Sequence, residues 1–167
     1  MKDHDVHKQI ANRILEPFQF IHVVVTATEW DNFFVLRDHP DAQPEIRELA
    51  IAIKEAMSNS TPVSKGNNIE DLYDWHLPYV KEGEFHAGEE ELARKCSAAR
   101  CARVSYLNHD GSNPSIEKDL ELYSRLIESE PMHASPVEHQ AVPSGSYGFT
   151  KNFKGWIPFR TLLENRY

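Results

Sequence analysis

Phe18-Gln19-Phe20-Ile21-His22-Val23-Val24-Val25-Thr26 decides how the rest of the chain is read. β-Branched and aromatic residues fill it, and such residues favour a pleated, half-buried backbone. Pro17 stands just before it and ends the helical pattern of residues 5–16, because a helix stops at or before the residue preceding a proline. The stretch therefore predicts a buried β-strand. Working outward, Thr28 is placed to cap a short helix carrying Trp30, Phe33, Phe34 and Arg37. Asp41 is placed to cap the next, with Ile46, Leu49, Ala50, Ile53 and Met57 along one face. Residues 58–90 mix Ser, Asn, Gly and Pro with acidic and aromatic residues and read as a long loop or insertion. Helices are expected over about 89–103 and from Ser115 through Ile127, and a last short one within 156–164. A second strand is expected to begin near Val137, and Gly145 and Gly148 suggest a flexible loop. One strong strand among many helices leaves a sheet under-supplied, and an open edge needs a partner. The pattern therefore predicts an α/β (α+β) fold, a small sheet packed with several helices, completed by another segment or another copy.

Length and composition narrow the class. With 167 residues, of which 40% are hydrophobic and 26% charged, the chain fits one domain, residues 1–167, with a sizeable core. A net charge of −8 argues against a general nucleic-acid coat. It still allows a locally positive pocket for a small anion. No apolar run is long enough for a membrane span, and Met1–His7 is too polar for a signal peptide. Cys96 and Cys101, five apart on a helix, diverge too far for a disulfide. Free thiols without a signal sequence point to a cytoplasmic location.

Four stretches gather polar groups beside aromatics: Asn12, Arg13 and Glu16; Thr26 to Arg37, followed by Asp41–Glu45; Ala99 to Tyr106; and His133 to His139. Arginine suits phosphate because its planar fork donates two parallel hydrogen bonds. Arg13, Arg37, Arg100 and Arg103 are the candidates, each equally able to pair with one of the chain's 26 acidic residues. His133 and His139 flank Glu138, but a metal site needs a third ligand, and neither His76 nor His109 is placed by the sequence. Trp30, Phe33 and Phe34 can stack on a planar ligand or fill a core. Asn32 among them needs partners that a ligand can supply. No dinucleotide fingerprint, phosphate-binding loop, nucleophile elbow or C-x-x-C motif is present. The residues alone reach a soluble α/β domain that binds a phosphorylated, planar ligand.

Together the four stretches resemble the flavin-dependent thymidylate synthase family. Ala102-Arg-Val-Ser-Tyr106 is similar to the family's Ala-Arg-Val-Ser motif, and Ser135-Pro-Val-Glu-His139 to its Ser-Pro-Phe-Glu-His motif. Trp30 to Arg37 followed by Ala42-Gln-Pro-Glu45 resembles the block Asn-Phe-x-x-Leu-Arg then Ala-Gln-x-Glu. Arg13 to Pro17 resembles the Arg-x-x-Leu-Pro that opens it. The motif order is permuted, as in virus-encoded relatives. The Arg-His-Arg signature segment is absent, so the chain resembles the larger part of a split or truncated enzyme.

The resemblance implies a thymidylate synthase-complementing-protein-like fold and the reductive methylation of dUMP to dTMP. Methylenetetrahydrofolate would supply the carbon and NADPH would reduce FAD. It implies Arg13, Arg37 and Arg103 at the dUMP site, with Arg37 catalytic through its fixed charge. It also implies Asn32, Ser105 and His139 at the flavin. Thr26 stands where the family often has a flavin-binding asparagine. A homotetramer with shared sites, or a separate chain carrying the missing segment, would complete the assembly, with no nucleic acid, membrane or metal involved. The location would be cytoplasmic, in the host cytoplasm for a virus-encoded protein. The alternative is a non-catalytic nucleotide-binding or interaction protein derived from a truncated synthase.

Overall fold

The computed structural model describes residues 8–104 and 115–165. Among them are six α-helices: α1 (Lys8–Arg13), α2 (Asp31–Arg37), α3 (Pro44–Ser58), α4 (Glu90–Arg103), α5 (Ile116–Ile127) and α6 (Phe159–Glu164). Four short strands, β1 (Ala141–Pro143), β2 (Phe149–Thr150), β3 (Phe153–Lys154) and β4 (Trp156–Pro158), make two antiparallel pairs, β1 with β4 and β2 with β3. In the first pair Ala141 lies opposite Pro158 and Pro143 opposite Trp156. The fold is thus the expected mixture of helices and a small strand set.

The core is built on α4. Ala93, Cys96, Ser97, Ala98, Ala99 and Cys101 are all buried, on every side of the helix, as befits a helix enclosed by its neighbours. α5 packs against it with one stripe, Asp119, Tyr123 and Ile127, four residues apart. Asp119 occupies a position a hydrophobe would normally fill, and it is fully buried. It is tolerated because Arg100 and Arg103 of α4 both point at it. Arg100 Nε donates to Oδ2 at 2.8 Å, and Arg103 donates to Oδ1. Glu84 holds the other edge of Arg100 at 2.6 and 2.9 Å.

Residues 58–90 hold little regular structure, and several of their side chains enter the core. Trp75 packs edge-on to Phe159 with Tyr123 stacked beyond, Arg94 lies over the Trp75 ring, and Trp75 Nε1 donates to the Ile69 carbonyl at 3.0 Å. Leu72 and Phe85 join Ala93 and Cys96 in a second buried cluster. The backbone is fixed by Asp74, whose carboxylate accepts from the Gly66 and Asn68 amides at 3.0 and 2.9 Å. A Cβ on Gly66 would meet that carboxylate, so a larger residue there would push the Asp74 side chain off the two amides.

The structure overturns the strand reading. Residues 18–26 form no strand and are not buried: Phe18 is 84% and Phe20 102% exposed, and Ile21, Val23 and Val25 are exposed as well. Composition favoured a strand, but the described strands include no partner for one. α2 and α3 form as expected, though Trp30 and Gln43 occupy the cap positions rather than Thr28 and Asp41, with no side-chain cap bond. Of the expected α3 stripe only Ala50 is buried, while Ile46, Leu49 and Met57 are exposed. The second strand starts at Ala141, after a 3₁₀ turn over Ser135–Glu138 that takes up Val137. The last helix starts at Phe159, because residues 156–158 pair as β4.

Candidate functional site

Two cavities lie on either side of His139. The larger, about 370 Å³, is walled by His22, Val23 and Val24, by Cys101, Ala102 and Val104, and by His133, Ser135 and Pro136. The smaller, about 110 Å³, is lined by Thr26, Glu138, Lys151, Asn152 and Arg160. His139 belongs to both. Three separate segments meet there: the extended run 22–26, the end of α4, and the 3₁₀ turn before β1.

Local sequence explains the convergence. Pro136 is the second residue of the 3₁₀ turn Ser135–Glu138, and its fixed φ suits a helix's first turn. The turn places Val137 in the core and leaves Glu138 and His139 at its edge, half-buried. The following residue, Gln140, is fully buried and donates to Ser97 Oγ of α4 at 3.1 Å, which ties the turn to the central helix. The run 22–29 is held to the C-terminal part of the chain by three side-chain ties. Thr26 Oγ1 meets His139 Nδ1 at 3.0 Å. Thr28 Oγ1 accepts from the Lys154 amide at 2.9 Å. Lys154 Nζ donates to Glu29 at 2.6 Å. Around the small cavity, charges alternate: Glu138, Arg160, Glu164 and Lys151 are linked in sequence by ion pairs.

Electrostatics follow from burial. The His139 imidazole is pushed below the usual histidine range by burial, against a smaller opposite pull from Glu138. It is therefore uncharged at neutral pH and offers one donor and one acceptor. Burial also raises the Cys101 thiol, to about 12, and the Cys96 thiol, to about 11. Neither is a thiolate nucleophile at pH 7. Among the described residues no group of three or more His, Cys, Asp or Glu side chains is arranged to hold a metal ion. No helix of the described residues is long and apolar enough to cross a membrane.

The residues expected at the site divide into two sets. His139 sits between the cavities. Arg13, Asn32 and Arg37 are exposed, on α1 and α2, and line neither cavity. Arg103 is turned inward, donating to Asp119 and to the Lys118 carbonyl. Ser105 lies outside the described residues. Sequence reasoning missed His22, Lys151 and Arg160, which carry no motif signal. It noted Thr26 only as a departure from the family's usual asparagine.

Comparison with known proteins adds one finding. Residues 7–63 match Thy1, the thymidylate synthase complementing protein family. The match spans about a third of the chain and contains Arg13, Thr26, Asn32, Arg37 and Ala42–Glu45. The stretches 102–106 and 135–139 lie beyond it. Neither the curated proteins nor the solved structures gave a match. The family segment is the part with least burial of its own: of the large apolar side chains left exposed, most lie between Ile10 and Val63.

Proposed function

We propose that the protein is a subunit or fragment of a flavin-dependent thymidylate synthase, working on dUMP with FAD, NADPH and methylenetetrahydrofolate in a cytoplasmic assembly of several chains. One observation carries this reading. The segments that resemble the family's Ala-Arg-Val-Ser and Ser-Pro-Phe-Glu-His motifs wall one cavity, and the third wall comes from the segment that matches the family.

The cavity has the size and chemistry for a planar ring. Its volume falls within the ordinary range for ligand pockets, its walls include Val23, Val24 and Val104, and His139 and Ser135 stand at its border. Among the described residues, no lysine or arginine lines it to meet a ligand's phosphates. Such cations would come from Arg13 and Arg37 of a second copy, or from a separate chain. An exposed apolar face on the same segment is what such an assembly needs. Phe18 and Phe20 alone present on the order of 300 Å², against the roughly 800 Å² per partner of a standard interface. When bound, a flavin supplies hydride transfer. The residues of this chain would orient the ring, exclude water with their valines, and set a fixed positive charge at Arg37 against charge developing on the pyrimidine.

The test is direct. The purified protein, alone and with a chain carrying the Arg-His-Arg segment, is titrated with FAD and dUMP, and dTMP formation is followed chromatographically. Flavin binding that weakens in His139→Gln and nucleotide binding that weakens in Arg37→Ala support the reading. No flavin binding in either arrangement refutes it. A second reading, a non-catalytic nucleotide-binding or interaction protein, is favoured by the separation of Arg13, Asn32 and Arg37 from His139 within one chain. It predicts ligand binding with no dTMP under any arrangement.

A further inference from the structure

Residues 63–85 line another cavity, of about 650 Å³, which shares no lining residue with the two beside His139. Its volume is ordinary for a small-molecule site, about 300–1,000 Å³. Leu72, Trp75 and Phe85, all buried, give it an apolar floor that Leu77 and Val80 continue. Val63 and Tyr73 stand on its wall, 76% and 63% exposed. A ligand with an apolar body would take both floor and wall out of water. Charge narrows the ligand further. Lys54, Lys95, Lys151 and Lys154 each pair with a carboxylate. Lys65 and Lys81, both on the cavity wall, pair with no carboxylate among the described residues. Lys65 Nζ instead donates to the uncharged Tyr73 carbonyl at 2.7 Å, which holds the ammonium in place with no anion bound to it. The carboxylates nearby are engaged elsewhere. Asp74 accepts from the Gly66 and Asn68 amides, and Glu84 is bound to Arg100 and to the Lys81 amide. Glu82 stands exposed on the wall.

We propose that this cavity is a second binding site, for a small amphipathic anion. The apolar body of the ligand lies on Leu72, Leu77, Val80 and Phe85, and its carboxylate, sulfonate or phosphate is drawn by Lys65 and Lys81. A chain of net charge −8 repels anions at long range, so two lysines without carboxylate partners on one cavity wall supply the local positive field that such a ligand needs. Glu82 works against them, so its charge sets a limit on the affinity. The proposal does not rest on the synthase reading.

The test titrates the full-length protein at neutral pH with anilinonaphthalene sulfonate, followed by fluorescence, and with phenylnaphthylamine, the same ring system without the sulfonate. The sulfonate is expected to bind about threefold to tenfold tighter, the worth of one or two partly exposed ion pairs. Lys65→Gln combined with Lys81→Gln erases the difference. Glutamine still donates to the Tyr73 carbonyl, so that pair of changes removes charge and keeps the local tie. Lys118→Gln, at a lysine that lines none of the three cavities, leaves the difference as it was. Glu82→Gln widens it. Because the exposed run 18–26 also attracts apolar probes, the location is read from ¹H–¹⁵N amide spectra, with shifts expected over 63–66 and 72–85 and none over 18–26 or 135–140. Equal affinity for the two probes overturns the proposal. So do shifts centred elsewhere, a difference that survives the double lysine change, or the absence of saturable binding. The comparison of the two probes on the unaltered protein decides the point even if a variant fails to fold.

Discussion

Replacing Asp119 by Asn should cost more stability than any other single change of charge in the chain. The side chain keeps its shape, so packing between α4 and α5 is preserved. What is lost is the charge that faces two guanidinium groups in a site with 0% exposure. The Arg100 and Arg103 side chains are themselves only 12% and 13% exposed. An asparagine can accept from one of them but turns an N–H toward the other, so one contact becomes donor against donor. Breaking one member of a buried ion cluster costs about 3–5 kcal/mol. For a chain of this size each kcal/mol shifts the melting point by roughly 2–4 °C. Asp119→Asn should therefore lower Tm by about 6–20 °C, read by calorimetry or far-ultraviolet dichroism. Glu84→Gln is the internal control. It removes the other anion bound to Arg100, but the Glu84 side chain is 25% exposed and water compensates. Its loss should be about 1 kcal/mol. If Asp119→Asn destabilises no more than Glu84→Gln, the cluster is not what holds α5 to α4. The same logic bears on Arg103. A structural arginine lowers Tm when replaced by Leu. A nucleotide-binding one lowers dUMP affinity with Tm unchanged.

Trp75→Ala should cost about 3–5 kcal/mol, because it empties a buried site against Phe159 and Tyr123; a loss below 1 kcal/mol in urea unfolding would show that Trp75 does not anchor residues 58–90 to the core. His139 titrates below its unfolded value of about 6.5, so between the folded pKa and 6.5 the unfolded chain holds a proton that the folded chain does not. Stability should fall as pH drops below about 7, at up to about 1.4 kcal/mol per pH unit for this group, and His139→Gln should flatten that slope in urea titrations from pH 7 to 5. Phe20→Ser and Val23→Ser should leave the Tm of dilute protein within about 0.5 kcal/mol equivalents while reducing self-association in analytical ultracentrifugation. Equal sedimentation of the variants and the unaltered chain would remove this face from any interface.

α3 and α5 were legible because each carries a period: Ile46, Leu49, Ala50 and Ile53 fall on one face, and Tyr123 and Ile127 recur four residues apart. The run 18–26 was misread because strand composition records a preference for a partnered, half-buried surface, not the presence of a partner. Trp75 and Leu72 were hidden for the opposite reason. Their burial depends on non-local contacts with α4 and α6, and an irregular backbone has no period to betray it. His139 was reachable because a motif surrounds it. Arg160 was not, since its place beside Glu138 follows only from the β1–β4 pairing.

The two halves of the chain point to one physical account. The described residues of 58–165 bury Trp75, the Asp119 ion cluster and the small-residue helix α4. Among the described side chains of residues 10–57, Ala50 alone is buried, and apolar side chains are exposed on α1, the run 18–26, α2 and α3. A segment that orders so little apolar surface recovers little of the free energy its backbone loses on folding, roughly 1–2 kcal/mol per residue. Three ties, at Thr26, Thr28 and Glu29, are too few to offset that. The segment that matches the synthase family is therefore also the one whose order depends most on something added to it. Hydrogen exchange reads this directly: amides of α2 and α3 should exchange far faster than those of α4 in dilute protein. They should slow when a second chain or a second copy covers the face, while α4 stays unchanged.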